Sequence, residues 1–282
     1  MAVFDCFTFF NEVEMVKFRI KYLKDVVDYF VIVEASQTHS GMPKEQNFPY
    51  DDFDEETKKK IKYVYIDFPK ENLLDHLDFN AEYILQTLES WKNWARENYQ
   101  RNYIKKCLTE AKDDDIILIS DVDEIISKEA IEFLKENTHK IDEGKNISLV
   151  QIPFYFSIYN PFRYSADENT VVWPHPKATL FKNMIRPNVN RMCYAGGSLK
   201  NAGWHLGYFG GNNRLKIKKS SVATHSDEES DVDEKVNKNI SNKEAVLAKT
   251  KRIPKEILQA EFKLPDLIFD EEFIDFFKGD VL

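Results

Sequence analysis

Residues 113–126 read Asp113-Asp-Asp-Ile-Ile-Leu-Ile-Ser-Asp-Val-Asp-Glu-Ile-Ile126. Ile116-Ile-Leu-Ile119 is apolar and largely β-branched, with an acidic turn before it and a polar run, Ser120 to Glu124, directly after it. A short apolar run bounded in this way predicts a strand buried on both faces, as inside a parallel sheet. Asp121, Asp123 and Glu124 then lie at the carboxyl end of a central strand, which is where open α/β sheets bind their ligands.

Working outward, Val3–Phe10 is an aromatic and β-branched run that breaks into Asn11-Glu12, the pattern of a buried strand ending in a polar loop. Met15, Phe18, Ile20 and Leu23 give a helical stripe, Tyr29–Glu34 a second strand and Ile61–Phe68 a third. A long helix is predicted over Asn80–Ala111, with Ile84, Leu88, Trp91 and Ala95 as its apolar stripe. Continued, that stripe reaches Asn98 and Asn102 beside Arg101. Ser127–Asn137 reads as a further helix, N-capped by Ser127, with Ala130, Ile131 and Leu134 facing the sheet. This alternation predicts an α/β fold with a mainly parallel central sheet and helices on both faces. Beyond Asn146 the expectation is aromatic strands at Ser148–Phe156 and Thr170–Trp173, followed by Gly203–Gly211. Six of the nine glycines fall between Gly196 and Gly211, a concentration that suits tight turns or close backbone approach to a ligand. The last residues read as helical and peripheral.

The chain has 282 residues and no Gly/Ser- or Pro-rich linker, so one compact domain with a C-terminal appendage is expected. With 43% hydrophobic residues, 21 Phe and 13 Tyr, it has ample material for a packed interior. A net charge of -9 argues against nucleic acid as a partner, although Arg214, Lys216 and Lys218 could still hold a single diphosphate. Cys6, Cys107 and Cys193 are widely spaced and form no metal-binding pair, so they read as reduced thiols. The N-terminal stretch lacks a basic region and a small-residue cleavage site, and no run reaches the roughly 20 apolar residues of a membrane span. A cytoplasmic protein is the expectation.

Asp121 and Asp123, two residues apart at a strand end, can reach one hard cation, and Mg²⁺ or Mn²⁺ would keep its other positions for water and diphosphate oxygens. A bare Asp-x-Asp is more often a helix-capping acidic turn; the preceding strand is what favours chemistry here. Asp231-Val-Asp-Glu234 repeats the same letters inside a charge run with no strand before it, and reads as solvated surface. His205, between Trp204 and Leu206, is either a half-buried hydrogen-bonded histidine or a third metal ligand. Arg101 suits bidentate phosphate binding if its helix face turns to a cleft. Trp173 and Trp204 could stack on an acceptor sugar or belong to the core. His39, after the second strand, is assigned to a turn.

Five blocks in chain order resemble glycosyltransferase family 17, the family of β-1,4-mannosyl-glycoprotein β-1,4-N-acetylglucosaminyltransferase. They are Asn11-Glu12 with Arg19, the stretch from Asp25 to Gly41 that contains Glu34, Trp94 with Arg101, the stretch from Asp113 to Ile125, and Ala202 to Phe209 followed by Lys218. The resemblance implies a GT-A-like nucleotide-diphospho-sugar transferase fold over 1–225, with an acidic segment and peripheral helices over 226–282. It further implies inverting transfer from a UDP-sugar, UDP-GlcNAc being the family's donor, with a divalent metal. On it, Asp121, Asp123 and Glu124 are the catalytic acids, and Asp121, Asp123 and His205 the metal set. Asn11, Glu12, Arg19, Glu34, Arg101 and Lys218 are the donor-binding set. Apart from the resemblance, the aromatic character of Trp173 and Trp204 makes them the candidates to face the acceptor glycan. Ile126 stands where the family usually has Pro, and the chain has no counterpart of the animal enzyme's membrane anchor. A soluble enzyme acting on a bacterial or viral glycan is therefore expected.

Inversion needs one general base, for which Glu124, Glu34 and the Asp167-Glu168 pair are the candidates. Two other classes share parts of this pattern. A phosphohydrolase of the haloacid-dehalogenase type also places Asp-x-Asp after a strand, with the first Asp as nucleophile, but there the motif opens the domain and here it is at mid-chain. A glycan- or nucleotide-binding protein without catalysis could retain the same fold.

Overall fold

The computed structural model describes residues 1–78, 88–159, 161, 172–192, 195–210 and 254–279. The elements begin with β1 (Val3–Phe9), α1 (Val13–Leu23), β2 (Tyr29–Ala35), α2 (Glu55–Lys60), β3 (Ile61–Ile66), α3 (Leu88–Cys107), β4 (Ile116–Asp121), β5 (Glu124–Ile126) and α4 (Lys128–Glu136). There follow α5 (Thr138–Gly144), β6 (Ile147–Leu149), β7 (Ile152–Tyr155), β8 (Lys177–Leu180), α6 (Pro187–Met192), β9 (Gly197–Leu199), β10 (Gly203–Gly207), α7 (Lys255–Phe262) and α8 (Ile274–Lys278).

Seven strands form one sheet in the order β3-β2-β1-β4-β8-β6-β9. Its first four strands are mutually parallel, β8 runs antiparallel to both β4 and β6, and β9 is parallel to β6. Strand alternation sorts β1 cleanly: Phe4 and Cys6 join Ile104 of α3 on one face, while Val3, Phe7 and Phe9 join Met15, Phe18 and Leu23 of α1 on the other. The chain is thus an α/β protein with helices on both faces of a mixed sheet. β1 has β2 on one side and β4 on the other, so the strand order reverses there, and a crevice opens beyond their carboxyl ends.

The sequence pattern predicts no helix between the second and third strands, yet parallel neighbours require a crossover. Residues 36–60 make it and end in α2, whose N-cap Asp54 accepts the Thr57 N–H at 2.7 Å. The predicted Ser148–Phe156 strand is two strands in different sheets, β6 and β7, separated at buried Gln151, whose Nε2 donates to the Ile125 carbonyl at 2.9 Å. Of the long helix, residues 79–87, Ile84 of the expected stripe among them, lie outside the described residues. Of the rest of that stripe Leu88 is exposed, Trp91 half-buried and Ala95 buried, and its continuation Asn98 is buried; Ser90, Asn93, Gln100, Arg101 and Ile104 are buried beside it.

A second sheet, β5-β10-β7, joins the two blocks richest in candidate residues. β10 runs antiparallel to β5 with His205 opposite Glu124, and the Leu206 N–H donates to the Asp123 carbonyl at 2.8 Å. Gly203 permits this approach: its φ is +137°, and a Cβ there would lie 2.0 Å from the Ile125 carbonyl oxygen. Ser127 caps α4 as expected, its Oγ accepting the Ala130 N–H at 3.2 Å. The segment 254–279 is not peripheral packing: Leu258, Phe262, Ile268, Phe273 and Phe277 are buried in the same cluster as Phe18, Phe154 and Phe209. The expected boundary near residue 225 lies outside the described residues.

Candidate functional site

The loop from Asp121 to Glu124 is held by a buried arginine. Arg19 projects from α1 under the sheet and is fully buried with Asp5 of β1. Its Nε and Nη2 donate to the two Asp5 oxygens at 2.8 and 2.5 Å. Nη1 donates to the carbonyls of Asp121, Val122 and Glu124 at 2.6, 3.2 and 3.2 Å, and Nη2 also to Ser120 Oγ at 2.6 Å. Buried backbone acceptors outside regular pairing need such a donor. Arg19 therefore shapes the loop from below and does not line the cleft, contrary to its expected place in the donor set.

Above the loop is a cleft of about 410 Å³ over the carboxyl ends of β1, β2 and β4. Asp121, Asp123, Arg101, His205, Trp173 and Glu12 are on its wall. Each Asp121 oxygen accepts a guanidinium N–H, from Arg101 Nη2 at 3.0 Å and from Arg191 Nη2 at 2.7 Å. Arg191 also donates to both oxygens of buried Glu124, at 2.6 and 2.7 Å, and Glu124 Oε2 accepts the Asp121 N–H at 2.6 Å. Burial alone would lower the pKa of Arg191, but the carboxylates of Asp121 and Glu124 more than offset it and raise it. The same balance, with Asp121 and Glu97 as the raising charges, acts on Arg101. Asp123 Oδ1 is 3.9 Å from His205 Nε2. Trp173 stacks on His205 with ring centroids 4.1 Å apart and donates its Nε1–H to Glu124.

Several other expected residues are elsewhere. Glu124 lines no cleft wall, and with Arg191 and Trp173 on its oxygens it is built to position its neighbours, not to accept a substrate proton. Glu34 is fully buried and ties down residues 44–48, accepting from Lys44 Nζ, the Asn47 and Phe48 N–H groups and Tyr63 Oη–H. Neither a base nor a donor-binding role fits that position. Trp204 is core: it points away from the cleft, donates Nε1–H to the Phe262 carbonyl at 2.7 Å and meets Tyr22 edge-on. Glu12 reaches the cleft with Oε2 accepting the Phe10 and Asn11 N–H groups at 3.1 Å each, while Asn11 keeps its side-chain oxygen buried beside them. Cys193, Asp167-Glu168, Arg214, Lys216, Lys218 and Asp231–Glu234 lie outside the described residues.

The structure adds residues the sequence did not single out. Arg191, on the short α6, has no local pattern to mark it. Glu97 could have been noticed, because it stands four residues before Arg101 and accepts from its Nη2 at 2.9 Å. His39, expected in a turn, also lines the cleft, with Nε2 2.8 Å from Gln100 Oε1 and Nδ1 3.8 Å from Glu97.

Among the described residues no group of three metal-ligating side chains converges, since Asp121 is turned to the two arginines. Asp123 and His205 are the pair whose chemistry fits a divalent cation that takes its remaining ligands from a diphosphate and water.

An α/β sheet with an acidic and cationic cleft at its reversal point defines a protein suited to binding a charged, phosphate-bearing ligand. The sequence profile of glycosyltransferase family 17 matches residues 1–243, and the chain belongs to that family. It is therefore a glycosyltransferase, with a sugar donor and an acceptor as partners. Comparison with curated proteins gives no match. No helix among the described residues is long and apolar enough to cross a membrane.

Proposed function

We propose that this glycosyltransferase transfers N-acetylglucosamine from UDP-GlcNAc to a hydroxyl of a glycan acceptor, with inversion and with Mn²⁺ or Mg²⁺. The single observation that supports this reading best is that cation-binding and anion-binding groups line one cleft: Asp123 and His205 together with Arg101. A GT-A-like fold belongs to the same proposal, supported by four parallel strands ordered β3-β2-β1-β4 with Asp-x-Asp where β4 ends.

The acceptor oxygen forms a bond to the anomeric carbon as the bond from that carbon to the diphosphate oxygen breaks, and the electron pair leaves with UDP. A metal held by Asp123 and His205 would supply positive charge to the departing diphosphate. Arg101 stabilises the same charge from the protein side. The acceptor proton passes to a carboxylate, and Glu12 and Glu97, which line the cleft, replace Glu34 and Glu124 as candidates. Trp173 offers an aromatic edge for a sugar ring, and Trp204 is withdrawn from that role. A cytoplasmic location is part of the proposal and accords with the free thiols of Cys6 and Cys107. The phosphohydrolase alternative needs the first Asp as a nucleophile, and the two guanidiniums on Asp121 oppose that.

Thermal unfolding with UDP, with and without Mn²⁺, tests the donor site. A ligand at a hundredfold excess over its Kd stabilises by about 2.7 kcal/mol. The midpoint should rise with UDP and Mn²⁺ together, and UDP-GlcNAc with a glycan acceptor should release UDP. A binding protein without catalysis would give the shift and no UDP release; absence of any shift would sink the proposal.

A further inference from the structure

Asp121 is the half-exposed end of a buried charge network: Arg101 and Arg191 are 6% exposed at the side chain, Asp121 37% and Glu124 0%. Arg191 spans Asp121 and Glu124, and Arg101 spans Asp121, Glu97 and Asn188, whose Oδ1 accepts from Nη1 at 2.8 Å. A divalent cation on Asp121 would sit against two fixed positive charges, each of which weakens cation binding. The buried Nε of Arg101 has no hydrogen-bond acceptor, so its present pose leaves one donor that a phosphate oxygen could satisfy after a small rotation.

We propose that Arg191 is a positioning residue that divides the Asp-x-Asp pair between two tasks. With Arg101 it holds Asp121 as a counter-ion, so that Asp121 aims the Arg101 guanidinium at the donor diphosphate and the divalent cation is left to Asp123 and His205. This deepens the donor reading above and rests on it.

The test measures UDP binding by tryptophan fluorescence as a function of Mn²⁺, a readout independent of turnover. Asp123→Asn should raise the half-saturating Mn²⁺ concentration by roughly tenfold or more, and Asp121→Asn by no more than about threefold. Equal losses in the two variants would overturn the division. Because Arg191→Gln alone orphans buried Glu124, it is combined with Glu124→Gln, which removes the pair together. In that double variant Asp121 loses the Arg191 guanidinium, so the half-saturating Mn²⁺ should fall by about tenfold, and adding Asp121→Asn should cancel the gain. A double variant with no gain removes Arg191 from the role. If the parent binds UDP without regard to Mn²⁺, the division fails and the donor site stands; if it binds no UDP at all, the donor reading fails with it.

Discussion

Replacing Arg19 by Met removes the guanidinium and keeps much of the aliphatic stem. What remains is a fully buried Asp5 carboxylate that has lost both its Nε and Nη2 partners, and three carbonyls of the Asp121–Glu124 loop that have lost Nη1. Removing one member of a buried ion pair typically costs about 3–5 kcal/mol. For a chain of this size each kcal/mol lowers the midpoint by about 2–4 °C, so a fall of roughly 6–20 °C is expected. The double variant Asp5→Asn/Arg19→Met should recover part of the loss, because no unpaired charge is left in the core. Reversible urea unfolding, followed by circular dichroism, gives the free energies, and UDP titration of the folded fraction gives the ligand side. If Arg19 bound the donor directly, Arg19→Met would abolish the UDP response at nearly unchanged stability. A midpoint within about 2 °C of the parent would refute the structural role assigned to Arg19.

Glu34→Gln should cost about 1.5–3 kcal/mol by urea unfolding, because its new amide group must face N–H and Nζ donors where a carboxylate accepted them; protease cleavage within 36–48 should rise, and a variant as stable as the parent would contradict the anchor. Burial, with Arg191 nearby, holds the His175 imidazole below its ordinary value of 6.5. The unfolded chain then takes up that proton more readily than the folded one, so stability falls as pH drops through 6.5 toward the folded value. The drop in midpoint between about pH 7.5 and 5.5 should be smaller in His175→Gln, and equal slopes would remove His175 as its source.

Local patterns carried the first half of the fold. The apolar run at Ile116–Ile119, the alternation in β1 and the α1 stripe are signals written within ten or so residues, and each element appears where they put it. The crossover helix α2 escaped notice because Glu55–Lys60 is a charged run with a single buried residue, Thr57, and so has no apolar stripe to see. Ser148–Phe156 reads as one strand for a different reason: a single, mostly apolar stretch supplies strands to two sheets, with only Gln151 and Pro153 to interrupt it, and Gln151 at the switch bonds to the Ile125 carbonyl, a partner distant in sequence.

The site divides along the same line. Arg19 and Arg191 look alike in sequence, each an arginine within a helical segment, but one lies beneath the loop with Asp5 and the other spans Asp121 and Glu124 from a distance of about 70 residues in the chain. No spacing rule links partners so far apart. Trp204 is the instructive exception, because its position was open to deduction. Along a strand successive side chains face opposite sides. If His205 faces the cleft beside Asp123, then Trp204 must face the other way, into the packing against Tyr22 and Phe262, and it does. Naming both residues as site groups asked one strand to present neighbours on the same face, whereas Trp173, reached by a separate segment, is free to stack on His205 from within the cleft. The geometry that rules out one tryptophan is thus the same geometry that brings the histidine beside Asp123 in the cleft.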